Sequence, residues 1–285
     1  MTSPAKATAQ ATGSEFEAVV ARLRSAGCVF AEDEARLLIE ASGTRSLDDL
    51  VTRRCEGEPL EHVVGWAEFC GLRIAVGPGV FVPRRRSELL VETALAVGGN
   101  AAVVLDLCCG VAPFATALAA RLPYAEVHAA DIDPAQTAYA RHNLAVYGDR
   151  AHVYDGDLYA ALPSTLRGGV DLLVVNAPYV PTSAIATLPA EARVYEPVAS
   201  LDGGADGLAL HRRIAAGAPD WLAPGGHLLI ECTERQAPVM GETFLAAGLN
   251  ARIVADDDLD ATVVVGTVMS TGIGTGTDTV IGTRA

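Results

Sequence analysis

Apolar residues recur at helical spacing near the start of the chain: Phe16, Val19, Val20 and Leu23 fall on one face, and Gly27 offers the left-handed stop at which helices commonly end. Ala35, Leu38 and Ile39 repeat the pattern ahead of Gly43, and Ser46-x-x-Asp49 reads as a helix start before Leu50 and Val51. The spacing predicts a small helical unit over residues 15–56. From Gly57 to Pro83 the character changes, with Gly65, Gly71, Gly77, Pro78 and Gly79 punctuating short apolar runs such as 72–76. Such runs suit the strands of a hairpin connector, 57–83.

Beyond Pro83, strand-like and helix-like segments alternate, the pattern of a parallel sheet with helices on its faces. Strands are predicted at 103–107, 126–131, 151–154, 170–176, 227–231, 251–254 and 262–267, with helices between most of them, notably 134–147 and 208–222. The expected architecture is α/β, an open doubly wound sheet of seven strands over residues 84–268. The Ala/Thr-rich stretch 1–14 and the Thr/Gly-rich stretch 269–285 read as disordered.

Of 285 residues, 50% are apolar and 20% charged, enough to bury a sizeable core and to exclude wholesale disorder. The net charge is −14. Tight non-specific binding to a phosphate backbone rests on many cationic contacts, so no direct nucleic-acid partner is expected. The triplet Arg84-Arg85-Arg86 is either a local basic patch or a solvated, salt-bridged turn. No uncharged apolar run approaches a membrane span, and residues 1–14 lack the apolar stretch of a signal peptide. The six cysteines form no Cys-x-x-Cys pair and the six histidines no His-x-x-x-His. That argues against a zinc site, and no metal is expected; free thiols in a reducing cytoplasm are the simplest setting.

Candidate chemistry gathers at strand ends. The strand 103–107 runs into Cys108-Cys109-Gly110-Val111-Ala112 and then a helix from Pro113. Ligands of open α/β sheets collect at the carboxyl ends of strands, and a turn of small residues lets backbone N–H groups come close to them. Only Gly110 is present of a dinucleotide Gly-x-Gly-x-x-Gly pattern. Asp131 ends the next strand 21 residues after Gly110, where an acidic side chain suits ribose hydroxyls. Asp131 or Asp133 can equally cap the helix beginning at Pro134, and two acids allow both roles. Asp157, beside the apolar Leu158, either accepts from an exocyclic amine or is a turn residue.

The fourth strand delivers Asn176-Ala177-Pro178-Tyr179 to the same edge. A carboxamide, a backbone carbonyl and a ring presented together suit a planar group bearing –NH₂. The Asn176 side-chain oxygen and the Ala177 carbonyl can each accept one N–H while Tyr179 packs against the plane. A turn with an Asn cap and a core tyrosine is the alternative.

These pieces together resemble the HemK-like branch of the S-adenosylmethionine-dependent methyltransferases, the protein-(glutamine-N5) methyltransferases that modify peptide chain release factors. The similarity runs through Gly57-Glu58-Pro59-Leu60-Glu61-His62-Val63-Val64-Gly65 with Phe69 and Gly71, and through Val82-Pro83-Arg84 with Glu88 and Val91-Glu92. It continues in Glu196-Pro197, in Leu201-Asp202-Gly203-Gly204-Ala205-Asp206-Gly207-Leu208, and in Leu222-x-Pro224-Gly225-Gly226-x-Leu228-x-Ile230-Glu231.

The resemblance implies a seven-stranded class I, Rossmann-like methyltransferase sheet with a small N-terminal helical domain, and S-adenosylmethionine as cofactor. It implies a cofactor site of Asp106, Cys108, Cys109, Gly110, Val111 and Ala112, with Asp131 on the ribose, Asp157 and Leu158 near adenine, and Asn176 beside the reacting centre. Asn176, Ala177, Pro178 and Tyr179 become the catalytic and substrate-binding clamp. The partner implied is a protein, a release factor, gripped in part by the helical unit, and the enzyme a cytoplasmic monomer. The chain departs from the family at Cys108 and Ala112, where glycines are usual, at Ala177, where proline is usual, and at Pro83-Arg84-Arg85, where Pro-Arg-Pro is usual. Those departures keep two other readings open: a paralogue methylating another protein, a metabolite or a nucleic-acid amino group, and a non-catalytic module of the same fold.

Overall fold

In the computed structural model, which describes residues 13–43 and 45–269, the first four helices bury one another. They are α1 (Gly13–Ser25), α2 (Ala31–Ser42), α3 (Leu47–Cys55) and α4 (Leu60–Val64), with Leu23, Ala35, Leu38 and Val63 fully covered between them. Ser46 Oγ accepts the Asp49 N–H at 3.3 Å, so the predicted helix start at Ser46 is a capped one. Of the stretches read as disordered, 1–12 and 270–285 lie outside the described residues; α1 begins at Gly13 and the last strand ends at Val268.

A two-stranded antiparallel ribbon follows, β1 (Trp66–Phe69) and β2 (Leu72–Ala75). The rest of the chain runs α5 (Glu88–Gly98), β3 (Val103–Leu107), α6 (Pro113–Arg121), β4 (Glu126–Asp131), α7 (Pro134–Leu144), β5 (Ala151–Asp155), β6 (Val170–Val175), α8 (Ala190–Tyr195), α9 (Ala209–Gly217), β7 (Leu222–Glu231), α10 (Ala237–Ala246), β8 (Leu249–Asp256) and β9 (Ala261–Val268). Asn143 on α7 ties the ribbon to the main body: its Oδ1 accepts the Ala75 N–H at 2.8 Å and its Nδ2 donates to the Ala75 and Val111 carbonyls.

The seven strands lie in the order β5-β4-β3-β6-β7-β9-β8. Side chains alternate across the sheet, so Val104, Leu172 and Leu229 face one apolar layer while Leu105, Leu173 and Leu228 face the other. The seven-stranded sheet is mixed: β9 runs antiparallel to both β7 and β8. Only residues 257–260 connect β8 to β9, and a parallel return needs a crossover of a dozen residues or more. Two helices also end earlier than their patterns suggest. α7 stops at Leu144 and gives way to a tight turn, and α9 stops at Gly217, before Pro219, whose ring and missing N–H oppose continuation.

The topology places a crevice. From β3 the chain proceeds outward to β4 and β5, then returns to lay β6 on the other side of β3. Ligand sites of open α/β sheets form at such a reversal, beyond the carboxyl ends of the strands. The ends of β3, β4 and β6 all meet there.

Candidate active site

The turn after β3 is held in an unusual conformation. Cys108, Gly110 and Ala112 have φ of 56°, 55° and 61°, and a left-handed non-glycine residue costs about 1–2 kcal/mol. Cys108 and Ala112 therefore occupy backbone positions that favour glycine. The turn is pinned to β4: Cys109 N–H donates to the Ala130 carbonyl at 3.0 Å and Gly110 N–H to Asp131 Oδ2 at 2.9 Å. A Cβ on Gly110 would meet Gln136 Oε1 at 3.1 Å. Burial pushes both the Cys108 and Cys109 thiols up, so neither is a thiolate.

The two acids after β4 divide their work. Asp133 Oδ1 accepts the Ala135 N–H at 2.9 Å and caps α7, while Asp131 accepts from Gly110 with one oxygen and from the Asp133 N–H with the other, at 2.9 Å each. Burial raises the Asp131 carboxyl above its ordinary value, against the lowering effect of those backbone donors. Each carboxylate oxygen keeps a further acceptor site. Asp157 is exposed, and its Oδ2 takes a hydrogen bond from Arg213 at 2.7 Å.

At the end of β6, Asn176 Nδ2 donates to Ser87 Oγ at 3.3 Å. Among the described residues no donor reaches the Ala177 carbonyl. The Tyr179 ring is fixed at its hydroxyl, which receives a hydrogen bond from Arg86 Nη2 at 2.8 Å and donates to Glu231 Oε1 at 3.1 Å. Burial, with the nearby Glu231, pushes that hydroxyl up, so it stays a donor. Gly207 has φ +80°, and a Cβ there would come within 2.2 Å of the Tyr179 carbonyl. The glycine lets the segment after Asp202 close against this strand end. The arginine triplet is mainly a salt-bridged turn: Arg84 pairs with the buried Glu196 at 2.6 Å, Arg86 reaches Glu231, and Arg85 is exposed.

One cavity of about 920 Å³ joins these parts. Its walls include Cys108, Cys109, Gly110, Val111, Asp131, Asp157 and Leu158, and also Asn176, Ala177, Pro178 and Tyr179. Asp106 and Ala112 do not line it. Asp106 lies wholly buried behind the turn, Oδ2 accepting the Ala115 N–H at 3.0 Å, Oδ1 without a hydrogen bond among the described residues, and burial pushing its carboxyl up to about 8. Ser87, Gln136, Ser200 and Arg213 line the cavity and were not singled out by sequence. Ser87 and Gln136 sit at helix starts, Ser200 in a short turn and Arg213 in the middle of α9; their local patterns carry no chemical signature, and only the fold brings them to the crevice.

The donor set fits S-adenosylmethionine. Asp131 offers acceptors for a ribose diol and a carboxylate that suits a cationic ligand, and Leu158 offers an apolar face for adenine. The volume lies within the roughly 300–1,000 Å³ usual for small-ligand and cofactor clefts.

Residues 71–204 match the family described as "Methyltransferase small domain". The chain is 40% identical to the release factor glutamine methyltransferase of Geobacter sulfurreducens, over 76% of this chain and 75% of that one. It is 38% identical to that of Mycolicibacterium smegmatis, over 80% and 82%. Among solved structures, a methyltransferase from Pyrococcus furiosus superposes with a TM-score of 0.52 at 16% identity, covering 70% of this chain and 90% of that one. The 16S rRNA N2 G1207 methyltransferase of T. thermophilus, in complex with AdoMet and guanosine, gives 0.51 at 21% identity, covering 71% of this chain and 49% of that one. At these identities the structural likeness speaks for the fold alone.

Proposed function

The chain belongs to the family of release factor glutamine methyltransferases, and from that membership we propose that it transfers a methyl group from S-adenosylmethionine to the side-chain amide nitrogen of the glutamine in the Gly-Gly-Gln tripeptide of a peptide chain release factor. The observation that carries this reading is the single cavity shared by the turn after β3 and the strand end at Asn176. Two pockets opening on different sides of the sheet would forbid transfer.

In this reading Cys108–Val111 and Asp131 hold the cofactor, Leu158 faces adenine, and Asp157 lies beside it. When bound, S-adenosylmethionine supplies an electrophilic methyl carried on a sulfonium. The protein's task is to align a poor nucleophile, because the amide lone pair is delocalised. Asn176 Oδ1 and the Ala177 carbonyl accept the two N–H groups of the substrate amide, which fixes its nitrogen and stabilises positive charge growing there. Such alignment draws on the roughly 7–11 kcal/mol available to well-oriented reactants. The methylated nitrogen is strongly acidic and sheds one proton to solvent, so no dedicated general base is needed. The Ser87 hydrogen bond supports the clamp by turning the Asn176 N–H₂ away and leaving Oδ1 as acceptor. Tyr179, held by Arg86 and Glu231, offers a rigid wall for a planar group.

The division into a helical unit (15–56), a connector (57–83) and a catalytic domain (84–268) gives the helices a part in gripping the protein substrate. Two links from the helical unit to α8, whose Glu191 lines the cavity, support it: Arg54 on α3 pairs with Glu191 at 2.6 Å, and Tyr195 Oη donates to the Glu56 carbonyl at 3.2 Å. A cytoplasmic monomer is the setting we favour; the six cysteines are unpaired, as a reducing compartment leaves them.

The test is mass spectrometry of a release factor incubated with the protein and S-adenosylmethionine. One added methyl on the Gly-Gly-Gln glutamine is expected. An unmodified glutamine, with cofactor binding demonstrated by calorimetry, would reject the substrate and leave a paralogous acceptor.

A further inference from the structure

β4 and β5 pair in parallel with His128 opposite His152, and opposite residues of a parallel pair project from the same face of the sheet. Glu126 stands two residues before His128 and shares that face. Glu126 Oε1 lies 3.3 Å from His128 Nε2 and 3.0 Å from His152 Nε2. One ligand atom from each of the three falls within 4.8 Å of the others. Donors around a tetrahedral zinc, with bonds of about 2.0–2.1 Å, sit roughly 3.3–3.4 Å apart. The two Glu–His spacings are close to what such a cation requires, and the pair of histidine donors lies within 4.8 Å.

A second observation points to the same place. His128 is 2% exposed, yet its Nε2, 3.3 Å from Glu126 Oε1, makes no hydrogen bond among the described residues. Its other nitrogen, Nδ1, lies 3.1 Å from Tyr154 Oη. A metal-bound histidine commonly engages a partner through its second nitrogen, which sets the tautomer that leaves the first free to ligate. Two imidazoles and one carboxylate are a donor set for zinc and its transition-metal neighbours, not for the all-oxygen preferences of calcium or magnesium.

Access and adjustability follow from exposure. The side chains of Glu126 and His152 are 51% and 38% exposed, so an ion can enter and water can complete the coordination. The His128 and His152 rings are stacked, 4.9 Å between centroids; capture requires the exposed His152 ring to tilt toward the shared point. A net charge of −14 raises the local concentration of cations around the whole molecule.

We infer that Glu126, His128 and His152 form a binding site for a divalent transition cation such as zinc, which clips the edge strand β5 to β4. The site lies toward the start of β4, roughly 10 Å along the strand from Asp131 at His128 and roughly 16 Å at Glu126, so the ion acts on the sheet and takes no part in methyl transfer. Linear spacing gave no zinc motif because the third ligand comes from the neighbouring strand. Strand register supplies it.

The test uses the full chain, stripped of metal and titrated with Co²⁺ and then Zn²⁺ by calorimetry and visible spectroscopy. The expected result is one equivalent bound, cobalt d–d absorption without a thiolate charge-transfer band, and a rise in unfolding temperature with metal. His152→Ala and Glu126→Gln, both at partly open positions, should each weaken binding at least tenfold. Equal affinity in the wild type and both variants, a thiolate-to-cobalt band locating the ion on the cysteines, or no binding at micromolar metal would each overturn the assignment.

Discussion

Ser87 Oγ accepts a hydrogen bond from the Asn176 carboxamide at 3.3 Å, linking the start of α5 to the end of β6 in the wall of the cavity. That bond decides which end of the amide is left for a ligand. Because Nδ2 is engaged, Oδ1 remains an acceptor, and an acceptor is what a substrate –NH₂ requires.

Asn176→Ala should therefore lower methyl transfer on the order of 10²–10³-fold, the range for loss of one transition-state hydrogen-bonding group, while S-adenosylmethionine affinity stays within a few fold. Ser87→Ala should give a smaller fall, about tenfold, because the carboxamide remains but loses its fixed orientation. Single-turnover kinetics beside calorimetric titration separates the two effects. Equal loss of rate and cofactor affinity in Asn176→Ala would assign the residue to the fold instead.

Ala112 is fully buried at φ 61° just before α6. Ala112→Gly relieves left-handed strain but loses a buried methyl and adds freedom to the unfolded chain. Those effects oppose, so stability should stay within about 1 kcal/mol of the wild type. Ala112→Val adds branching where φ is positive and bulk where no space exists, and should cost more than about 2 kcal/mol. Urea midpoints at constant slope read both; a neutral valine substitution would show that the turn is not left-handed at this residue.

Asp106 provides a test by pH. Burial raises its carboxyl from 3.8 to about 8, so across that window the folded state holds a proton that the unfolded state releases. The stability this group contributes is fully present below pH 4, falls as pH rises toward 8, and is lost above it. The slope is up to about 1.4 kcal/mol per pH unit. Asp106→Asn keeps an acceptor for the Ala115 N–H and does not ionise. Its stability relative to the wild type should climb from pH 5 to pH 8 and then level. A difference independent of pH would mean that Asp106 is ionised in the folded protein as well.

Much of this molecule is local in origin. Three strands, 103–107, 126–131 and 170–176, and the cap at Ser46 were legible because an apolar run or a capping side chain acts on its own neighbours. Cys108–Val111, Asp131 and Asn176–Tyr179 were legible for a related reason: each directly follows or ends a strand, and the carboxyl ends of parallel strands converge on one crevice.

What the chain order could not disclose lies between segments distant in sequence. Ser87 beneath Asn176, Arg86 on Tyr179 and Glu231, and His128 against His152 depend on pairing and packing that no local pattern encodes. The burial of Asp106 away from the cavity belongs to the same class. Local propensity and periodicity settle which segments become strands and helices, because those depend on each residue's own backbone and its near neighbours. Which side chains then meet, and with what charge, is settled by strand register and burial, which exist only once the sheet has closed around its core.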